Sequence, residues 1–149
     1  MYYETYGAGL PMLLIHGNGA SIAIMSNQVS FFAGHYRVIV ADSRGQGKSQ
    51  MGVGKLTYEK MAEDYNALLD RLGVKSAHVL GWSDGGIIGL LLAIRHPDKV
   101  AKLAVMGANL ESAAAHDWAL KWVAAQRKAL DDAVAAGADP GDVSNYRQL

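Results

Sequence analysis

Along the chain, short uninterrupted apolar runs bounded by glycine-rich turns alternate with stretches whose apolar residues recur at helical spacing. Tyr2 to Tyr6 opens as a strand, Gly7-Ala8-Gly9 reads as a turn, and Met12 to Ile15 is a buried strand between Pro11 and His16-Gly17-Asn18-Gly19. Ser21 to Ala33 is predicted as a helix and Tyr36 to Ala41 as a second buried strand, followed by a glycine-rich loop from Asp42 to Gly54. Thr57 is a good N-cap, and Tyr58, Met61, Ala62, Tyr65, Leu68, Leu69 and Leu72 repeat at helical spacing until Gly73 closes the element. Ala77 to Leu80 and Val100 to Met106 complete the strands, with an apolar helix from Asp84 to Arg95 between them. Strands apolar enough to be buried on both faces, alternating with helices, predict an α/β fold: a mainly parallel sheet flanked by helices.

Beyond Ala108 the character changes to an alanine-rich helical segment, roughly Ser112 to Ala136, carrying Trp118, Trp122, Leu130 and Val134. Residues 1–109 are therefore expected as the core and 110–149 as a separate helical segment. Of 149 residues half are apolar, and 14 Lys+Arg balance 14 Asp+Glu, the composition of a globular domain. Zero net charge and scattered basic residues argue against nucleic acid or an anionic membrane as a partner. The longest apolar stretch, Gly85 to Ile94, is far shorter than the ~18 residues of a membrane helix. The absence of cysteine excludes a thiol nucleophile and thiolate metal sites. Met1 to Glu4 has no basic, then apolar, leader, so the cytoplasm is the default expectation, with loss of an upstream segment left open.

Gly81-Trp82-Ser83-Asp84-Gly85 matches G-x-S-x-G between a predicted strand and a predicted helix. Such an elbow holds serine in a strained turn where neighbouring side chains would clash, which is why glycines flank it. Ser83 is the candidate nucleophile. The bent loop His16-Gly17-Asn18-Gly19 follows an earlier strand and can aim a backbone N–H at the carbonyl oxygen of a bound ester; the N–H of Asp84 is the candidate second donor. Asn18 and Asp84 thus form a candidate oxyanion hole through their backbones. Trp82 is expected either to line the pocket or to pack beneath the elbow, and His16 to be a loop-packing residue or a further pocket residue. Ile22, Ile24 and Met25 are expected chiefly as core.

Three blocks, Leu14 to Gly19, Asp42 to Ser49 and Gly81 to Gly86, resemble in order and spacing those of the α/β-hydrolase superfamily, specifically its esterase and lactonase-like members. Arg95-His96-Pro97-Asp98-Lys99-Val100 resembles a fourth. The resemblance runs from about Tyr2 to Asn109 and implies a serine hydrolase that acts on small carboxylic esters or lactones through an acyl-enzyme at Ser83. It implies no metal and no organic cofactor. Asp42 and Arg44 resemble the family's structural loop beside the site.

In this superfamily the histidine that accepts the serine proton, and the acid that orients it, follow the serine on loops after two further strands. The match therefore covers an incomplete α/β-hydrolase fold with the C-terminal strands missing, and 110–149 corresponds to a cap-like segment. His16, His35, His78 and His96 do not fill the gap; after Ser83 only Glu111 and His116 offer a makeshift acid and base. The strand 100–106 would present an unpaired edge, which predicts a homo-oligomer or pairing with a complementing C-terminal half. Two other readings remain: a non-catalytic hydrolase-like binding domain, and a fragment of a longer hydrolase.

Overall fold

The computed structural model describes residues 1–109 and the single positions 121, 125, 128, 132, 135 and 136. The chain divides into two compact units, Met1–Ala108 and Asn109–Leu149. In the first, β1 (Tyr3–Tyr6), β2 (Pro11–Ile15), α1 (Ser26–Phe32), β3 (Arg37–Ala41), α2 (Tyr58–Arg71), β4 (Ala77–Trp82), α3 (Asp84–Arg95) and β5 (Val100–Met106) follow one another. The helix expected from Ser21 to Ala33 is divided: Ile22–Met25 form a 3₁₀ turn capped by Ser21 Oγ, and the α-helix begins only at Ser26.

The five strands form one sheet in the order β1-β3-β2-β4-β5. All neighbours are parallel except β1, which runs antiparallel to β3. Parallel strands require crossover helices, and these cover both faces. On one face Leu13, Ile15, Ile39, Ala41 and Val79 pack against Met61, Tyr65, Leu68 and Leu69 of α2 and Ile88 and Leu92 of α3. On the other, Met12, Leu14, Val38 and Val40 meet Met25 and Val29. Alternate residues of β2 and β3 serve opposite cores, so both strands read as unbroken apolar runs.

Strand β5 closes one side of the sheet and stays largely exposed along its length, with Met106 54% exposed. In the second unit, the Lys128 ammonium donates to the Asp132 carboxylate at 2.6 Å, one helical turn apart. The expected positions of Trp118, Trp122, Leu130 and Val134 lie outside the described residues. Among the described residues no helix is long and apolar enough to cross a membrane.

Candidate active site

The connection after β2 leads to β3 on one side, whereas the connection after β4 leads to β5 on the other. The carboxyl ends of β2 and β4 therefore flank the point where the winding reverses, the place where open α/β sheets form their crevice. His16-Gly17-Asn18 leaves β2 there and Ser83 leaves β4.

Ser83 has φ 53° and ψ −122°, and among the described residues it is the only one other than glycine with positive φ. Left-handed backbone costs a non-glycine residue roughly 1–3 kcal/mol, so the surroundings must enforce it. They do so by close packing. A Cβ on Gly81 would lie 2.3 Å from the Gly85 carbonyl oxygen, and one on Gly85 only 2.1 Å from that of Ile15. A Cβ on Gly86 would meet the Val105 side chain at 2.7 Å. The Ser83 N–H donates to the Met106 carbonyl at 2.8 Å, and its carbonyl accepts from the Gly86 N–H at 2.8 Å. Although Ser83 stands at the N-cap of α3, its side chain makes no capping hydrogen bond to the helix. The strain and the absent cap argue against a serine retained merely to start a helix.

The loop after β2 passes against this turn. A Cβ on Gly17 would lie 3.1 Å from the Ser83 Cβ and 3.3 Å from the Trp82 carbonyl oxygen. His16 anchors the loop from below. Its Nε2 accepts from the Ser43 N–H at 3.0 Å, so Nδ1 carries the proton and donates to the Gly17 carbonyl at 2.7 Å. Burial pushes the His16 imidazole below its ordinary value and keeps it neutral. At 1% exposure with both nitrogens engaged, His16 is a loop-packing residue and does not line the site as a free side chain. Asn18 is exposed, and its Oδ1 accepts from the Gly19 N–H at 2.9 Å. Trp82 is 41% exposed, with its ring beside Gly17.

Asp42 is buried, and its two carboxylate oxygens accept from the Ile22 N–H at 2.7 Å and the Lys48 N–H at 2.8 Å. It thereby ties the 3₁₀ turn to the loop after β3. The Arg44 guanidinium grips both Asp64 oxygens, with Nε donating at 2.6 Å, and fixes that loop to α2. Tyr65, fully buried, exchanges a hydrogen bond of 2.9 Å with Ser43. Met25 is core, whereas Ile24 is 43% exposed. A groove of about 440 Å³ between β1 and the 3₁₀ turn is lined by Tyr2, Tyr6 and Lys48 among others, and Ser83 is not in its lining.

Two contributors were hidden in the sequence. Gly17 stood in the sequence as part of the bent loop after β2, with no sign of its close approach to Ser83. Tyr58 fell on the apolar face of α2, yet it is 37% exposed, and the nearby Asp84 charge adds to burial in pushing its phenol up to about 12. The first N–H groups of α3, that of Asp84 among them, have no acceptor within the helix. They give this end of the site a positive field suited to developing negative charge. His78 lies five residues before Ser83 on β4, about 16 Å away along the strand. His96 follows the far end of α3 and pairs with Glu63 at 2.9 Å. Glu111 and His116 lie outside the described residues.

Residues 11–142 match the sequence model of the alpha/beta hydrolase fold. The chain belongs to the α/β-hydrolase family. RutD of Azorhizobium caulinodans, named as a putative carbamate hydrolase, is 39% identical over 106 residues, covering 71% of this chain and 40% of that protein. The 3-oxoadipate enol-lactonase 2 of Acinetobacter baylyi is 32% identical over 118 residues, covering 78% of this chain and 44% of that protein. Among solved structures, Est816, described as an N-acyl homoserine lactone degrading enzyme, superposes with a TM-score of 0.72 at 29% identity, over 87% of this chain and 52% of that one. A thermophilic esterase from Thermogutta terrifontis gives the same TM-score and identity, over 88% of this chain and 47% of its own. The chain thus spans about two-fifths of the length of the curated relatives it matches.

Proposed function

We propose that Ser83 is the nucleophile of a hydrolase for small carboxylic esters or lactones, working through an acyl-enzyme. The observation that carries this reading is the strained Ser83 backbone at the reversal point of the sheet, with Gly17 packed against it. In the reaction the Ser83 Oγ attacks the acyl carbon and gives up its proton to a base. The carbonyl oxygen becomes an oxyanion that the backbone N–H groups of Asn18 and Asp84 stabilise; each such donor contributes on the order of 3 kcal/mol in the transition state. Collapse expels the alkoxide, protonated by the same base, and water then cleaves the acyl-enzyme in the reverse sense, regenerating Ser83. Trp82 forms a wall of the acyl pocket.

The reaction needs a base and an orienting acid; the candidates His116 and Glu111 lie outside the described residues, and the alternative is a complementing C-terminal half or a second copy docked along the exposed β5 edge. That His16 has both ring nitrogens committed, while His78 and His96 lie elsewhere, favours a second reading: a hydrolase-like domain that binds a small acyl ligand without turnover.

Incubation with p-nitrophenyl acyl esters and with lactones decides between them. The hydrolase reading expects turnover that is abolished in Ser83→Ala. Ligand-induced thermal protection without any release of product supports the binding domain instead.

A further inference from the structure

The loop after β3 reaches the candidate oxyanion loop through one more side chain, that of Gln46. Gly45 and Gly47, with φ of 72° and 53°, flank it, and Gln46 itself is turned inward and only 3% exposed. Its backbone is held on both sides: the Gln46 N–H donates to the Ser43 carbonyl at 2.9 Å, and the Gln46 carbonyl accepts from the Ser49 N–H at 2.9 Å. A Cβ on Gly47 would lie 2.3 Å from the Asp42 carboxyl group, so the chain passes directly over that side chain. From this turn the Gln46 Nε2 donates to the Asn18 Oδ1 at 3.4 Å, and the same oxygen accepts from the Gly19 N–H. Residues 43–46 therefore grip the loop after β2 at two points, His16 through the Ser43 N–H and Asn18 through Gln46.

The other end of the Gln46 amide is unpaired. Its Oε1 is buried and finds no hydrogen-bond partner among the described residues. A buried carbonyl without a partner opposes folding, and an apolar side chain of similar shape would avoid that cost. Packing alone gives no reason for a glutamine here, whereas the contact with Asn18 does. We infer that Gln46 is a positioning residue for acyl transfer at Ser83: its Nε2 fixes the Asn18 side chain, and with it the backbone N–H that Asn18 offers to the oxyanion. The inference rests on Ser83 being the nucleophile and Asn18 an oxyanion donor, and the experiment separates it from that reading.

Rates of Ser83 labelling by a fluorophosphonate are compared in the wild type, Gln46→Met, Asn18→Ala and the double variant, beside the urea midpoint of each. In this step the Ser83 Oγ bonds to phosphorus, fluoride leaves, the serine proton passes to the base, and the phosphoryl oxygen takes the place of the oxyanion. Asn18→Ala keeps the backbone N–H and removes only the acceptor; Gln46→Met keeps an unbranched chain without the amide. Gln46→Met is expected to label roughly three- to tenfold more slowly, the scale of one neutral hydrogen bond, while its midpoint equals or exceeds that of wild type because the unpaired carbonyl is gone. In the Asn18→Ala background the same change should alter the rate by less than about twofold. A glutamine that only supported the fold would lower the midpoint and slow both backgrounds alike, and that result overturns the role.

A second readout needs no reactivity. The Gly19 amide, which donates to the Asn18 Oδ1 at 2.9 Å, should exchange its hydrogen with solvent roughly threefold or more faster in Gln46→Met. Unchanged exchange overturns the contact. Equal labelling of wild type and Gln46→Met overturns the role alone, and a wild-type chain unlabelled at Ser83 overturns the nucleophile reading and this role with it.

Discussion

Replacing Gly85 by alanine tests whether the elbow is held by contact with the end of β2. The added Cβ would sit 2.1 Å from the Ile15 carbonyl oxygen and 2.6 Å from that of His16, nearly 1 Å inside the 3.0 Å that real Cβ atoms respect. Both obstacles are backbone, and Ile15 and His16 are buried, so no side chain can rotate away. The N-terminus of α3 and the end of β2 must separate within a close-packed interior. Overpacking typically costs about 1–3 kcal/mol, and a backbone obstacle places this case at or above the upper end, about 3 kcal/mol. Against a typical total stability of roughly 5–15 kcal/mol, that is a large fraction. In urea, with a slope of roughly 1–3 kcal/mol per molar, the unfolding midpoint followed by far-ultraviolet circular dichroism should fall by about 1–3 M. Gly34→Ala supplies the control: its Cβ would meet only the Phe31 carbonyl oxygen, at 3.9 Å, so its effect should stay within about 1 kcal/mol of wild type. A Gly85→Ala midpoint indistinguishable from that of Gly34→Ala would refute the reasoning.

His16→Phe leaves the Ser43 N–H and the Gly17 carbonyl without partners and should destabilise the chain by about 2–4 kcal/mol in the same assay. Because burial lowers the folded-state value of His16, the unfolded chain takes up its proton first. That contribution to stability is complete above the ordinary value of 6.5 and is lost as the pH falls through the depressed folded value. Wild type should therefore lose more stability than His16→Phe between neutral and mildly acidic pH, and parallel pH profiles would count against this. The exposed β5 edge should pair in solution, so size-exclusion chromatography with light scattering at micromolar concentration should find an oligomer; a strictly monomeric chain contradicts it.

Local composition made much of this fold legible. Leu13-Leu14-Ile15 and Val38-Ile39-Val40 could only be strands buried on both faces, and Thr57 with Gly73 bracketed α2 because a cap and a left-handed stop are local chemistry. The elbow was legible for the same reason, since the glycines around Ser83 form one short motif between a strand and a helix. Non-local features were not. Nothing in Tyr3 to Tyr6 announced an antiparallel partner in β3, and the strand order follows from crossovers rather than from any single segment. Gly17 against Ser83 joins residues 66 positions apart, which periodicity does not record. Tyr58 misled because it stands at the helical spacing of the apolar face yet, as the first residue of α2, remains 37% exposed.

Whether Ser83 is an activated nucleophile is the question on which the proposed chemistry depends most directly. The decisive measurement is the intact mass of the purified chain after incubation with a fluorophosphonate, run beside Ser83→Ala and a heat-unfolded sample. An activated Ser83 predicts one adduct on the folded chain, absent from both controls. A folded chain that acquires no adduct would contradict it.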